Sequence, residues 1–425
     1  MRSVTNLSLL LLMFVCPSFV WAQTKRFKEK YTLKEVVILS RHNIRSPLSD
    51  NGSTLGKLTP HRWTNWSAAS SELTLRGGVL ETMMGQFFRK WLVSEGLFTE
   101  NYVPNADEVN FYANSMQRTI ATAQYFSSGF MPVANVAIRH RYAPSKMDPV
   151  FFPRLTKVSE AFCSDAMNQI AAMGGKKGIR GINEGLEDSY RIIADVLDLK
   201  DSPACKSGET CAFDDYDTQI ILKKGEEPAM KGALKLANSA SDAFILQYYE
   251  EADAQKAAFG HDISISDWEK IARIKDVYGD VLFTAPVVAY NVAHPLLVYM
   301  NDELNSDVRK FTFLCGHDSN IASVNAALEV EDYELPSSIE KKTPIGSKLV
   351  FEKWIDKSGN EFVAINLVYQ TTEQLRNIEM LDLDHSPMVY QLQLKGLKLN
   401  ADGLYSFEDV NGRFEKAIAA YDDIK

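Results

Sequence analysis

The chain has 425 residues, of which 45 % are hydrophobic and 24 % charged, with a formal net charge of −9. Those proportions exclude a disordered or low-complexity protein, and the acidic balance argues against general binding to nucleic acid or anionic membranes. The length exceeds one ordinary core, so two domains are expected.

The first 22 residues carry Arg2, an apolar run from Leu9 to Val15, and Val20-Trp21-Ala22. A basic start, a short apolar core and small residues before a cleavage point describe a secretory signal peptide over 1–22. An uncleaved membrane anchor is disfavoured because Pro17 breaks the apolar core, which is also short for a bilayer. A lipoprotein cleaved before Cys16 is disfavoured by the bulk of Val15. No other stretch is long and apolar enough to span a membrane, so no membrane association is expected after cleavage.

Next comes Leu33 to Ser40, whose Val36, Val37, Ile38 and Leu39 predict a buried strand. It ends in Arg41-His42-Asn43-Ile44-Arg45-Ser46-Pro47. Arginine presents a planar fork of donors that fits phosphate oxygens, and a neutral imidazole between two such forks can attack phosphorus. A helix is predicted from Thr74 to Glu95, with Leu75, Val79, Met83, Phe87 and Trp91 on one stripe. Val109 to Ala113 reads as a strand, Arg118 to Phe130 as a helix, and Val136 to Tyr142 as a strand. Arg118 opens its helix after a strand, where free N–H groups and the helix dipole suit an anion. This βαβ rhythm predicts an α/β fold with a mainly parallel sheet flanked by helices.

From about Pro153 to Ala289 the period becomes helical, with amphipathic segments at 184–198, 234–251 and 264–275. Gly174 to Gly181 and Ser202 to Phe213 read as loops. The first of these glycine-rich stretches lacks the lysine-threonine signature and strand context of a nucleotide loop. Cys205 and Cys211 flank a short polar loop with no His or further Cys nearby, which favours a disulfide over a metal site. Cys163 and Cys315 read as buried free thiols. Asn51 and Asn65 lie in sequons that matter only in a glycosylating host. His61, His140, His261, His294 and His385 show no ligand spacing and read as structural or exposed.

The rhythm then returns, with a helix at 291–304, a strand at 311–315, a helix at 319–328, and strands at 348–354 and 362–370. The expected organisation is an α/β domain in two parts, 23–152 and 290–425, interrupted by a mostly helical insertion domain over 153–289. The second apolar strand ends in Gly316-His317-Asp318. Read alone, His317 and Asp318 could be a helix cap. In open α/β sheets, however, ligands bind beyond the carboxyl ends of strands, so this turn and the 41–47 turn can converge.

At these residues the chain resembles the histidine acid phosphatase family, whose signatures are Arg-His-Gly-x-Arg-x-Pro and a distant His-Asp. The similarity runs over nearly the whole chain after residue 22. It includes Ala-Asn-Ser at 113–115, Gln-Arg-Thr at 117–119, Met-Asp-Pro at 147–149, Asp-Ser-Pro-Ala-Cys at 201–205, Gln-Tyr-Tyr-Glu at 247–250 and Thr-Pro-Ile-Gly at 343–346. It points to the bacterial branch that holds periplasmic sugar phosphatases and phytases. The resemblance implies that His42 is the nucleophile, that Arg41, Arg45, Arg118 and His317 cradle the phosphate, and that Asp318 protonates the leaving oxygen. Glu227, in Glu226-Glu227-Pro228, matches a substrate-contacting glutamate of the sugar phosphatases. Asn43 stands where most members have Gly, a departure those sugar phosphatases share. The family needs no metal or organic cofactor, and the implied location is the periplasm.

The expected activity is therefore an exported acid phosphomonoesterase that forms a phosphohistidine on small phosphate esters, glucose-1-phosphate first and inositol phosphates next. Neighbouring arginines should keep His42 neutral in mild acid, where Asp318 is more readily protonated. The alternatives are a true phytase, disfavoured because Glu227 repels inositol hexakisphosphate, and a non-catalytic sugar-phosphate-binding protein, disfavoured by the intact His42 and Asp318. The sequence leaves the oligomeric state open.

Overall fold

A computed structural model describes residues 25–48, 53–214 and 216–425. The expected signal peptide and the Asn51 sequon lie outside them. The main sheet contains β1 (Tyr31–Arg41), β2 (Val109–Ala113) and β3 (Ile138–Arg139), while β4 (Gln219–Ile221) and β5 (Ala229–Lys231) form a separate hairpin. It is completed by β6 (Phe311–Gly316), β7 (Lys348–Asp356), β8 (Glu361–Tyr369), β9 (Met388–Gln391) and β10 (Tyr405–Ser406). Its order is β10-β8-β7-β1-β6-β2-β3, with β9 also on β8. The β1, β6, β2 and β3 pairings are parallel, and those beyond β1 on the other side are antiparallel. The sheet is thus mixed around a parallel core.

Burial on both faces explains why β1 reads as an unbroken apolar run. Val36 and Ile38 pack with Phe111, Phe313 and the helices Leu75–Ser94 and Gln117–Phe130. Val37 and Leu39 face the other way, toward the helices Pro286–Leu304, Asp318–Ala327 and Phe407–Asp422. A third core gathers the helices Glu160–Ala172, Glu187–Val196, Ala233–Glu250 and Ile265–Phe283. Pro286–Leu304 belongs to two of these cores, contributing Val288 and Val292 to one and Ala289 and Leu296 to the other. The helix runs unbroken through the 289/290 boundary drawn from sequence.

Several expectations need correction. Val136 to Tyr142 yields only two strand residues, because β3 is an edge strand with one neighbour. The stripe on Leu75–Ser94 fails at its start: Leu75 is 70 % and Val79 47 % exposed, whereas Phe87 and Trp91 are buried. Steps of four residues drift about 40° each around a helix, so the row leaves the core face, and Leu80, Met84 and Phe88 fill it instead. The helix expected at 291–304 starts at Pro286, whose missing N–H costs nothing at the first turn. The helix expected at 264–275 continues to Phe283. The two predicted loops contain short helices at Ile179–Glu184 and Pro203–Lys206. The Cys205–Cys211 disulfide is formed. Cys315 is buried, but Cys163 is only half-buried. Among the described residues no single helix is long and apolar enough to cross a membrane.

Candidate active site

The parallel register aligns the site. Arg41 pairs with Gly316 across β1 and β6, and Ala113 of β2 pairs with Cys315. The residues that follow each strand, His42, His317 and Asn114, therefore emerge together at one sheet edge. The His42 and His317 rings lie 5.5 Å apart at 71°.

The 42–46 turn is held by the helix behind it. Thr74 caps that helix and its backbone N–H donates to Ile44 O. Gly77 faces the same carbonyl so closely that a Cβ would stand 2.4 Å from it. Asn43 donates its amide to the buried Glu81 at 2.8 Å, while Glu81 pairs with Lys348 at 2.8 Å. Gly346, at φ +67, leaves room for the Asn43 side chain. Asn43 is thus a structural member of a buried polar network.

His42 is 3 % exposed, and its Nδ1 lies 2.8 Å from Asn43 O. A carbonyl only accepts, so Nδ1 carries the proton and Nε2 keeps its lone pair. Burial, then Arg118, Arg45, His317 and Arg41, hold its pKa well below the ordinary value. His317 is set by Asn114, whose amide donates to Nε2 at 2.7 Å while its Oδ1 accepts Asp148 N–H at 2.8 Å. That leaves His317 Nδ1–H as a donor 3.5 Å from Arg118 Nη2. Two donors this close suit one shared anionic oxygen. Burial first, then Arg118, keep His317 neutral as well.

A cleft of about 440 Å³ opens over this edge, lined by His42, Arg45, Arg118, His317, Asp318 and Glu227 among others. Arg45 is braced by Asp242, 3.0 Å from its Nη2. Arg41 differs from the other expected cradle residues: it lies beneath the cleft, 1 % exposed, with Nη1 on Glu340 and Thr343 O, both at 2.6 Å. Its Nη2 stands 3.8 Å from Asp318 Oδ2. Lys275 Nζ is closer to that oxygen, at 2.8 Å. Burial pushes the Asp318 carboxyl up, but Lys275 and Arg41 overcome it and hold the group well below the usual range. In the free protein these two cations therefore favour the Asp318 carboxylate. Glu227 stands exposed on the loop between β4 and β5, which is tied to Leu155 through Gly225 N–H at 2.7 Å. Enclosure by the cleft, then Asp318, raise its carboxyl pKa.

Lys275, Asp242, Glu340 and Asn114 had no role in the sequence reading. A lone Lys or Asp on an amphipathic helix looks like solvated surface, and only Asn114, inside a motif, carried any signal. His61 and His261, read as having no ligand spacing, converge on Asp198.

The profile of the histidine phosphatase superfamily (branch 2) matches residues 32–173 and 201–370, and the chain belongs to that family. It is 40 % identical over 390 residues to glucose-1-phosphatase of Salmonella typhimurium, covering 91 % of this chain and 92 % of that one. It is equally identical over 392 residues to glucose-1-phosphatase of Providencia rettgeri, with the same coverage. The structure resembles Hafnia alvei phytase in its apo form, with a TM-score of 0.84 and 27 % identity over 92 % of this chain and 98 % of that one.

Proposed function

We propose that the protein is an exported phosphomonoesterase that hydrolyses small sugar phosphates, glucose-1-phosphate foremost, through a phosphohistidine at His42. The observation that carries this reading is the bare Nε2 of a neutral His42 facing a cleft lined by Arg45, Arg118 and His317. Nε2 attacks phosphorus as the bond to the leaving oxygen breaks, and Asp318 gives that oxygen its proton. Water then attacks the phosphohistidine, the P–N bond breaks, and the Asp318 carboxylate accepts the water's proton. A phosphate ester entering beside Asp318 opposes the charge of Lys275 and Arg41, so the carboxyl's proton is taken up with the substrate. The arginines offset charge on the transferring group, usually the largest contribution to such a reaction.

The cleft favours a monophosphate over a densely charged substrate. Arg45, Arg118, Lys235, Lys275 and Lys342 share the cleft with five acidic side chains, those of Glu227, Asp242, Asp276, Asp280 and Asp318, of which burial raises Asp280 to about 6 and Asp276 to about 7. A polyphosphate needs an excess of cations, whereas a sugar ring uses carboxylates as hydrogen-bond acceptors. The glucose-1-phosphatase relatives support the same choice. Export rests on the signal-like segment at 1–22, with the Cys205–Cys211 disulfide suiting an oxidising compartment. Comparing kcat/KM for glucose-1-phosphate, glucose-6-phosphate and inositol hexakisphosphate tests the substrate. A higher value for inositol hexakisphosphate would favour the phytase alternative, and no phosphate release from any ester would leave a binding protein.

A further inference from the structure

Away from the cleft, two imidazoles and a carboxylate meet. His61 Nε2 lies 2.6 Å, and His261 Nε2 3.2 Å, from the same oxygen, Asp198 Oδ2. The three ligand atoms are all within 4.8 Å of one another. None of these residues lines the cleft. They come from three separate loops: one between β1 and the Leu75–Ser94 helix, one after Glu187–Val196, and one before Ile265–Phe283.

The cluster is built rather than incidental. The His61 ring stacks on Phe259 with centroids 5.0 Å apart and 26° between planes, and its backbone N–H donates to Thr59 Oγ1 at 3.1 Å. His261 N–H donates to Ala258 O, and Asp198 N–H to Asp195 O, both at 3.0 Å. Asp198 (φ 48) and Phe259 (φ 54) both adopt the left-handed conformation; aspartate tolerates it, whereas a bulky Phe takes it only where its surroundings enforce it. Each of the three side chains keeps about a third of its surface open, at 34 %, 37 % and 36 % for His61, Asp198 and His261. Water can therefore complete a coordination shell on the open side.

We propose that His61, Asp198 and His261 form a binding site for a transition-metal dication, zinc above all. Two imidazole nitrogens with one carboxylate oxygen suit zinc, nickel or copper, whereas magnesium and calcium prefer oxygen-only shells. On binding, each neutral imidazole carries its proton on Nδ1, which frees the Nε2 lone pair for the ion. The ion would bridge the loop that follows the 41–47 turn to the helical part of the chain. Its effect is thus on stability rather than on the chemistry at His42.

The test is calorimetric titration of the full chain with zinc chloride in metal-free buffer at neutral pH. The expected result is one zinc per chain, with affinity falling at least about tenfold in His61→Ala and in His261→Ala, since losing even an outer-sphere partner costs that much. A parent chain that binds no zinc, or an affinity unchanged in both variants, overturns the proposal. Should the variants fail to fold, the visible spectrum of the parent chain with cobalt(II) decides. Bands of a nitrogen-ligated, low-coordinate ion support the site, and the spectrum of aqueous cobalt overturns it.

Discussion

Lys275 Nζ lies 2.8 Å from Asp318 Oδ2, an ion pair inside the cleft between the Ile265–Phe283 helix and the start of the Asp318–Ala327 helix. Lys275 favours the ionised carboxylate, the form that cannot donate a proton. Lys275→Met keeps the chain length and removes the charge, so the Asp318 pKa should rise. The alkaline limb of kcat/KM for glucose-1-phosphate should then move to higher pH. A limb at the same pH in the variant would show that Asp318 does not govern it.

Asp318→Asn should discriminate between leaving groups. General acid catalysis is worth about 10²–10⁴-fold, and a sugar alkoxide needs the proton far more than nitrophenolate does. Turnover of glucose-1-phosphate should drop within that range, and that of p-nitrophenyl phosphate only mildly. Equal losses on both would assign Asp318 to binding or geometry.

His42→Ala should abolish turnover without unfolding the chain, because the ring stands at a turn beyond β1 and is absent from the hydrophobic cores. Quenching the parent protein without acid, after mixing with labelled substrate, should trap an alkali-stable phosphoenzyme mapping to His42. Label on a serine or an aspartate would refute the assignment.

Glu227→Gln should shift the choice of substrate more than the rate on generic esters. The change removes a negative charge from the cleft wall, so the ratio of kcat/KM for inositol hexakisphosphate to that for glucose-1-phosphate should increase. An unchanged ratio would mean that Glu227 touches neither substrate.

Stability should fall as pH rises through neutrality. Burial raises Glu35 to about 8, and Glu352 and Asp276 each to about 7. The folded chain holds these protons where the unfolded chain has released them, so their contribution is complete below the ordinary carboxylate range and lost through about pH 7–8. His42 and His317 act oppositely, but only below their ordinary value of 6.5. The thermal midpoint should therefore decline from about pH 6.5 to about pH 8.5, with each full group contributing about 1.4 kcal/mol per unit. Glu35→Gln should flatten the decline, and a midpoint that climbs over this range would contradict it.

The strands that carry the site were readable because each is a short apolar run ending in a motif: β1, β2 and β6 begin or end within two residues of expectation. Periodicity served less well where burial is one-sided or slight, as at β3 and on the first turns of Leu75–Ser94. Hairpin β4–β5 escaped notice because its strands have three residues each, too few for alternation to show. Arg41 was expected in the phosphate cradle, and its guanidinium is anchored from below by Glu340. That partner lies in a loop distant in sequence, and no local pattern announces it. The same limit hid Asp198 from His61 and His261.

The pairing of β1 with β6 also orders events during folding. Val36 to Arg41 find their parallel partners only at Phe311 to Gly316, a contact between distant parts of the chain that is slow to form. A chain emerging amino-terminus first displays His42, Arg45 and Arg118 long before it contains His317 or Asp318. Until β6 arrives, β1 lacks its neighbour on that side and the Asp318 carboxylate has not joined the cations that await it. The cleft is thus completed late, and a product truncated before residue 311 carries the proposed nucleophile, His42, but not the proposed proton donor, Asp318.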